Sequence, residues 1–521
     1  MAKKELFFII VILGLAGFLR FAQLDSIPPG IYPDEAINAN QAIDSFGKIF
    51  YPENNGREGL FINLIGVCFK IFGISIWSAR SVSAILGTLT VLGIYFLTKE
   101  LFGQEKILSP ALSALFLATS FWHINFSRII FRAIMVPFCL VFFLLFLLRG
   151  YRKQKLVNFI IAGVFFGLGF HTYIAFRFAV LILPFIFLTW FLVYRKQKAI
   201  KNFFIFTSTF LGSTFFIALP IGLYFLKNPG DFLARGGNVS IFNQANPLIA
   251  LAKSVILHLS MFNFYGDPNW RHNISTRPIL FAPIGIFFLV GLLHSIKKLI
   301  QTIKDKDWKK SGTYILLLSW WSIMLLPGVM TIESIPHSLR VIGCIPPTFI
   351  FAGLGAVIVY RKISRLFKDK FDFKKTKSNR LLVSSCILLL GLCFCSAQYL
   401  RYFKIWGENK ETAKAFSAHC VNIGNYLNSL PEQTLKYVII NEPGPHIPLP
   451  VQTILFTQRT QGKEDNTKYI FEDELEKVDM SGKKTVIVLM DRNEDIVNEI
   501  QSIFPNGELS ENNNIWIYQK N

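Results

Sequence analysis

Residues 5–44 read "ELFFIIVILGLAGFLRFAQLDSIPPGIYPDEAINANQAID". An apolar run reaches Leu24, Pro28-Pro29-Gly30 follow, and two adjacent carboxylates, Asp34 and Glu35, come just after. A bilayer core about 30 Å thick takes roughly 20 apolar residues per helix. Proline cannot continue a helical ladder and restricts the residue before it, so the helix must stop here. The stretch therefore predicts a first membrane span with an acidic pair at its far mouth. The run is long, has a basic start and lacks an Ala-x-Ala site, so it reads as an uncleaved span and not as a signal peptide.

The remaining composition agrees. Over 521 residues the chain is 52% hydrophobic and 15% aromatic, with a mean hydropathy of +0.43. Soluble domains average about 45–50% apolar with Gly counted. Spans are expected near 5–23, 78–98, 107–122, 133–149, 156–171, 176–194, 202–226, 278–296, 312–328, 339–360 and 381–399. The fold class predicted is a polytopic α-helical membrane protein with about eleven transmembrane helices.

The net charge of +21 sits largely in connectors: "RGYRKQK" (149–155), "YRKQKAIK" (194–201), "KKLIQTIKDKDWKK" (297–310) and "RKISRLFKDKFDFKKTKSNR" (361–380). They alternate with connectors nearly free of Lys, which is the positive-inside pattern. Loops beside anionic lipid account for the charge, so no nucleic-acid partner is expected. The pattern predicts a cell-membrane protein with a cytoplasmic N-terminus and two long outer connectors, 24–77 and 227–277. "GLFINLIGVCFKIFG" (59–73) would reverse every later loop if it crossed, so it is expected to lie at the outer interface.

The seven cysteines (68, 139, 344, 386, 393, 395, 420) lie mostly in apolar runs without metal-ligand spacing, and read as packing residues. No metal site is read. From about residue 401 the composition turns polar. "KYVIIN", "KTVIVLM" and "NIWIYQK" read as short strands between amphipathic helices, "ETAKAFSAHCVNIGNYLNSL" among them. The organisation expected is a membrane domain over 1–400 and a small extracytoplasmic α/β domain over 401–521.

Every short outer loop carries Arg or His. Arg57 and Glu58 lie in "NNGREGLF", and His123, Asn125, Arg128 and Arg132 in "FWHINFSRIIFRAIMVP". "GFHTYIAFRF" holds His171, Tyr173 and Arg177; "NFYGDPNWRHNISTRP" holds Asp267, Asn269, Arg271, His272 and Asn273; "TIESIPHSLRVIG" holds Glu333, His337 and Arg340. Ionisable groups at membrane depth face cavities, pair, or mark a substrate path. Arginine forks suit phosphate oxygens, and a carboxylate at the interface suits a general base. Together they point to a substrate that is itself a lipid phosphate. Taken singly, each arginine could equally anchor a helix end, and the acidic pair could be a solvated turn.

These motifs, in this order, resemble the GT-C membrane glycosyltransferases of the protein mannosyltransferase and aminoarabinose transferase group over roughly residues 1–400. "LDSIPPGIYPDEAINANQAIDSFG", "NNGREGLFINLIGVCFKIFG", "GDPNWRHN" and "ESIPHSLR" carry the likeness. The resemblance implies transfer of a sugar from a polyprenyl-phosphate donor to an acceptor (protein, lipid or glycan) on the outer face, with no cofactor required. It implies Asp34 as base, Glu35 beside it on acceptor or donor, and Arg57, Arg128, His337 and Arg340 at the donor phosphate. A single displacement, inverting the anomeric centre, is the expected course. The chain departs from the group where many protein mannosyltransferases have an Asp after the second-loop Arg. Here Arg132 stands near that place, which weighs against a protein acceptor and against a metal held there. "SWWSIM" lacks the acid of a Trp-Trp-Asp motif, which disfavours oligosaccharyltransferase. Two other readings compete: a transporter or flippase of an amphipathic solute, and a structural subunit whose α/β domain binds a partner. Transporters often show internal repeats, and none is visible here.

Overall fold

The computed structural model describes residues 3–103, 107–232, 239–370, 391, 393–440, 449–462, 466–479, 484–491, 493–512 and 515–520. Helix α1 (Lys3–Phe21) covers the expected first span, though its charged residues near both ends keep it out of the helices apolar enough to cross. Past it, α2 (Pro33–Asp44) carries the acidic pair, strands β1 (Phe50–Tyr51) and β2 (Arg57–Glu58) form a small hairpin, and α3 (Leu60–Phe72) follows. Pro33 at the first helical position is pre-set for a helix, and Asp34 and Glu35 in the first turn suit its positive end. On α3, Val67, Ile71 and Phe72 are exposed while Phe61, Ile62 and Ile65 are buried.

The bundle continues through α4 (Ile76–Phe102), α5 (Leu108–Thr119), α6 (Phe121–Phe126), α7 (Met135–Lys153), α8 (Leu156–Gly169), α9 (Leu183–Lys196) and α10 (Ile200–Lys227). It closes with α11 (Pro247–Ser260), α12 (Ala282–Lys304), α13 (Trp308–Val329) and α14 (Ile345–Lys370). Seven helices among the described residues are long and apolar enough to cross a membrane. Two expected spans, 107–122 and 156–171, form shorter helices of 12 and 14 residues. The first ends because Ser120 leaves the helical path and caps α6 instead, accepting from the His123 amide. The expected span at 381–399 falls largely outside the described residues, as does Cys386.

The membrane-side core is asymmetric. The window of α14 is 83% buried and that of α10 only 11%, so α14 is the bundle's centre and α10 its apolar flank. Small residues let backbones meet around α14: a Cβ on Gly291 or Gly355 would fall 1.9 Å from a carbonyl of the facing helix.

The last section is a five-stranded sheet in the order β4-β3-β5-β7-β6, with β3 (Leu435–Ile440), β4 (Thr467–Phe471), β5 (Thr485–Leu489), β6 (Glu508–Asn512) and β7 (Ile515–Lys520). β3 is parallel to β4 and β5; β7 is antiparallel to β5 and β6. Alternate residues serve opposite faces. Val438 and Val488 pack on helices α16 (Ala418–Ser429) and α17 (Leu449–Arg459), whereas Ile439 and Ile487 pack on α18 (Glu494–Ile503). α15 (Lys410–Ala415) precedes them. The sequence showed three of these strands; β4, β6 and α17 were not read from it.

α17 packs directly on α2. Thr453 Oγ1 donates to the Ile31 carbonyl at 3.0 Å, Asn40 Nδ2 donates to the Gln452 side chain at 2.9 Å, and Arg459 pairs with Asp44 at 2.9 Å. Gly30 allows this approach: its φ is +80°, and a Cβ there would fall 2.5 Å from the Phe416 carbonyl. The α/β section therefore braces the helix that bears the acidic pair.

Candidate active site

The two adjacent acids point in different directions. Asp34 is partly exposed, and its Oδ1 accepts from Asn54 Nδ2 at 2.5 Å. Glu35 is fully buried: its carboxylate accepts from the Ile130 amide at 2.8 Å and pairs with Arg80 at 3.4 Å. Burial pushes the Glu35 carboxyl up against the pull of Arg80. Arg80 also donates to the carbonyls of Leu24, Pro28 and Gly30. Glu35 and Arg80 together hold the turn between α1 and α2.

Around Asp34 lies a cationic shell. Arg57, buried, donates to Asn38 Oδ1 at 2.7 Å and to Gln41 Oε1 at 2.5 Å on α2. Burial and then Arg132 bring its pKa down to about 10, with Asp34 pulling the other way. Arg132 pairs with Glu58 at 2.9 Å, and Arg177 reaches the same carboxylate at 3.9 Å. Two guanidiniums thus share one carboxylate, leaving one positive charge over. Arg132 also lies over the Tyr173 ring and Arg271 over the Tyr32 ring, both at 5.3 Å. The Tyr32 hydroxyl is pushed well above the ordinary range, first by burial, then by Asp34 and Glu35, while Arg271 and Arg132 oppose the rise. Asp34, Arg132 and Arg271 therefore converge on Tyr32.

Two cavities open beside this shell. One, of about 800 Å³, is an apolar groove lined by Phe170, Phe215, Leu219, Phe225, Leu226 and others, with Arg177 at its wall. Another, of about 150 Å³, has Tyr173 and Arg340 in its lining. Arg340 also pairs with Glu333. His171 is tied to the Ile217 carbonyl at 3.0 Å.

A second cluster brings together residues far apart in sequence. Asp267 Oδ2 accepts from His272 Nδ1 at 3.1 Å and from the Ser338 amide and hydroxyl at 2.7 and 2.8 Å, and His337 Nδ1 stands 4.0 Å away. Burial opposes ionisation of Asp267, but His272, His337 and the Asn269 amide together outweigh it and hold the carboxyl at about 2. Asn269 closes the loop, its amide donating to Asp267 Oδ1 and its side chain accepting from the Arg271 amide. Asp267, His272 and His337 offer ligand atoms within 4.8 Å of one another, so these three could hold a metal ion. The sequence did not show this set, because His337 lies 70 residues beyond Asp267.

Two expected phosphate or substrate residues sit elsewhere. Arg128 is fully buried, and its three nitrogens donate to the carbonyls of Leu19, Ala22, Gln23 and Ile27 at 2.7–3.2 Å. A helix C-terminus leaves carbonyls without partners, and Arg128 reaches one in the last turn of α1, Leu19, and others in the turn after it. Its guanidinium nitrogens are thus all engaged by backbone carbonyls. His123 is buried too, with Nδ1 2.7 Å from Arg20, whose own fork reaches the Ala16 and Ala118 carbonyls. The sequence reading missed Arg20, Arg80 and Asn54. A lone arginine inside an expected span, as Arg80 is, was the available signal.

By whole-chain fold the protein is similar to the ArnT of Cupriavidus metallidurans bound to undecaprenyl phosphate: TM-score 0.56, covering 99% of this chain and 98% of that one, at 12% identity. The fold is that of the GT-C glycosyltransferases. The apo state of the same ArnT gives a TM-score of 0.54 at 11% identity, with the same coverage of each chain. The Archaeoglobus fulgidus oligosaccharyltransferase tethered to an acceptor peptide gives 0.50 at 14% identity, covering 88% of this chain and 63% of that longer one. Within the GT-C fold, residues 60–222 match the family described as dolichyl-phosphate-mannose-protein mannosyltransferase. That match begins after the Asp34–Glu35 pair. No protein of curated function matches the sequence.

Proposed function

We propose that the chain is a membrane glycosyltransferase that moves a sugar from a polyprenyl-phosphate carrier to an acceptor hydroxyl at the outer membrane face. The observation that carries this reading is the split of the acidic pair: Asp34 open beside a cationic shell, Glu35 closed into a structural ion pair. The GT-C fold, the mannosyltransferase match and the undecaprenyl phosphate bound to the structurally similar ArnT support the choice of donor.

In this reading Asp34 takes the proton as the acceptor oxygen attacks the anomeric carbon. The bond from that carbon to the carrier phosphate breaks in the same step, inverting the centre. The prenyl chain lies in the apolar groove, and the leaving phosphate meets Arg177 and Arg132, whose shared carboxylate leaves charge to spare. Arg271 and Arg340 complete the cationic wall, and preorganised charge of this kind stabilises the leaving group. Arg57 sets α2, and Glu35 acts as a positioning residue. The α/β section stands outside with the long loops. The chemistry calls for no cofactor; Asp267, His272 and His337 would supply a metal's ligands were one required. Purified protein incubated with radiolabelled polyprenyl-phosphate sugars should move label out of the lipid fraction. Label that stays with the lipid across a panel of sugars and acceptors counts against the proposal.

A further inference from the structure

The opposite end of the bundle, where the basic connectors gather, repeats the two-arginine arrangement. Glu100 at the end of α4 is almost wholly buried and accepts from Arg149 at 3.1 Å and Arg152 at 2.7 Å. Beside this trio lies a cavity of about 440 Å³ between α7, α9 and α13. Part of its lining is apolar: Leu147, Leu148, Ile186 and Leu316. Tyr151, Trp190 and Trp308 line it too, together with Arg152 and Lys309. Tyr151 and Trp190 stack at 5.1 Å.

The charges do not cancel. Two guanidiniums meet one carboxylate and leave one positive charge, and exposed Lys309 adds a second. Apolar side chains, aromatic rings and a surplus of positive charge lining one cavity at the end of membrane helices match one ligand chemistry: a phosphodiester on an acyl-bearing glycerol. Aromatic rings settle at headgroup level, and basic pockets between membrane helices bind anionic headgroups. We infer that this cavity is a binding site for an anionic phospholipid of the leaflet at the basic end, seating its phosphate between Arg152 and Lys309 and its upper acyl chain against Leu147 and Ile186. The site lies at the other end of α4 and α7 from Asp34, so it is independent of the proposed sugar transfer.

The test uses the full chain, delipidated and titrated with dioleoyl phosphatidylglycerol or dioleoyl phosphatidylcholine, with bound lipid counted by native mass spectrometry. Phosphatidylglycerol should be retained at activation energies that strip phosphatidylcholine. Lys309→Ala should lower that retention roughly fivefold, as expected for one basic residue near a membrane surface. Thr313→Trp, which fills the cavity without touching charge, should abolish the preference. Lys309 is exposed and outside the core, so its variant reports even if Thr313→Trp does not fold. Equal retention of the two lipids, or wild-type retention in Lys309→Ala, overturns the site. Displacement of phosphatidylglycerol by millimolar glycerol 3-phosphate would assign the cavity to a soluble anion and overturn the lipid.

Discussion

Two groups of arginine occupy the loop end of this molecule, and they differ in what their nitrogens meet. Arg20, Arg80 and Arg128 are fully buried and donate chiefly to backbone carbonyls around the ends of α1 and α5 and the turn into α2. Arg132, Arg177 and Arg340 each reach one backbone carbonyl but also pair with a carboxylate, and Arg271 lies over the Tyr32 ring. The first group replaces the water that helix ends need; in the proposed reading the second meets the ligand. Asp34 and Glu35 divide along the same line. An arginine near an outer loop is thus evidence of a phosphate site only once its donors are accounted for.

That division can be broken by substitution. The largest effect is expected for Asp34→Asn: general base catalysis is worth about 10²–10⁴-fold, so turnover at saturating donor should fall by that order while donor binding persists. Next comes the brace. Breaking a buried ion pair costs about 3–5 kcal/mol, so Arg80→Ala should lower the thermal unfolding temperature in detergent sharply. Arg128→Ala should follow suit, because a buried polar group left unpaired costs about 1–3 kcal/mol. An unchanged unfolding temperature in both would move these arginines into the ligand group. Arg177→Ala should instead unfold normally and weaken donor binding about tenfold, with Lys restoring only part because the fork is lost. Loss of stability without loss of affinity would make Arg177 a brace. The smallest effect belongs to Arg459→Ala: its partner Asp44 is half exposed, and such pairs contribute about 0–1 kcal/mol.

How much of this the sequence showed depends on distance along the chain. The bundle, the α/β section and the acidic pair past the first span follow from local periodicity and from Pro28-Pro29. The roles of the arginines do not, because Arg128 meets carbonyls about 100 residues earlier and Arg132 meets Glu58 across 74. Hydropathy reads α4 as one apolar helix and passes over Arg80, whose burial is bearable only because Glu35 lies 45 positions upstream. The Asp267–His272 spacing is local, whereas His337 joins it through the fold. Helices α5 and α8 came out shorter than expected because hydropathy continues past the point where the backbone turns.

The central claim is that two neighbouring carboxylates do different work, and one paired measurement addresses it: turnover and thermal unfolding, recorded together, for Asp34→Asn and Glu35→Gln. The account predicts a crossed result. Asp34→Asn should unfold like the parent and lose about 10²–10⁴-fold in turnover. Glu35→Gln should unfold at a clearly lower temperature because Arg80 loses its counter-charge, yet its folded fraction should keep turnover near that of the parent. Near-parental turnover in Asp34→Asn, or a stable Glu35→Gln that has lost turnover, would contradict the account.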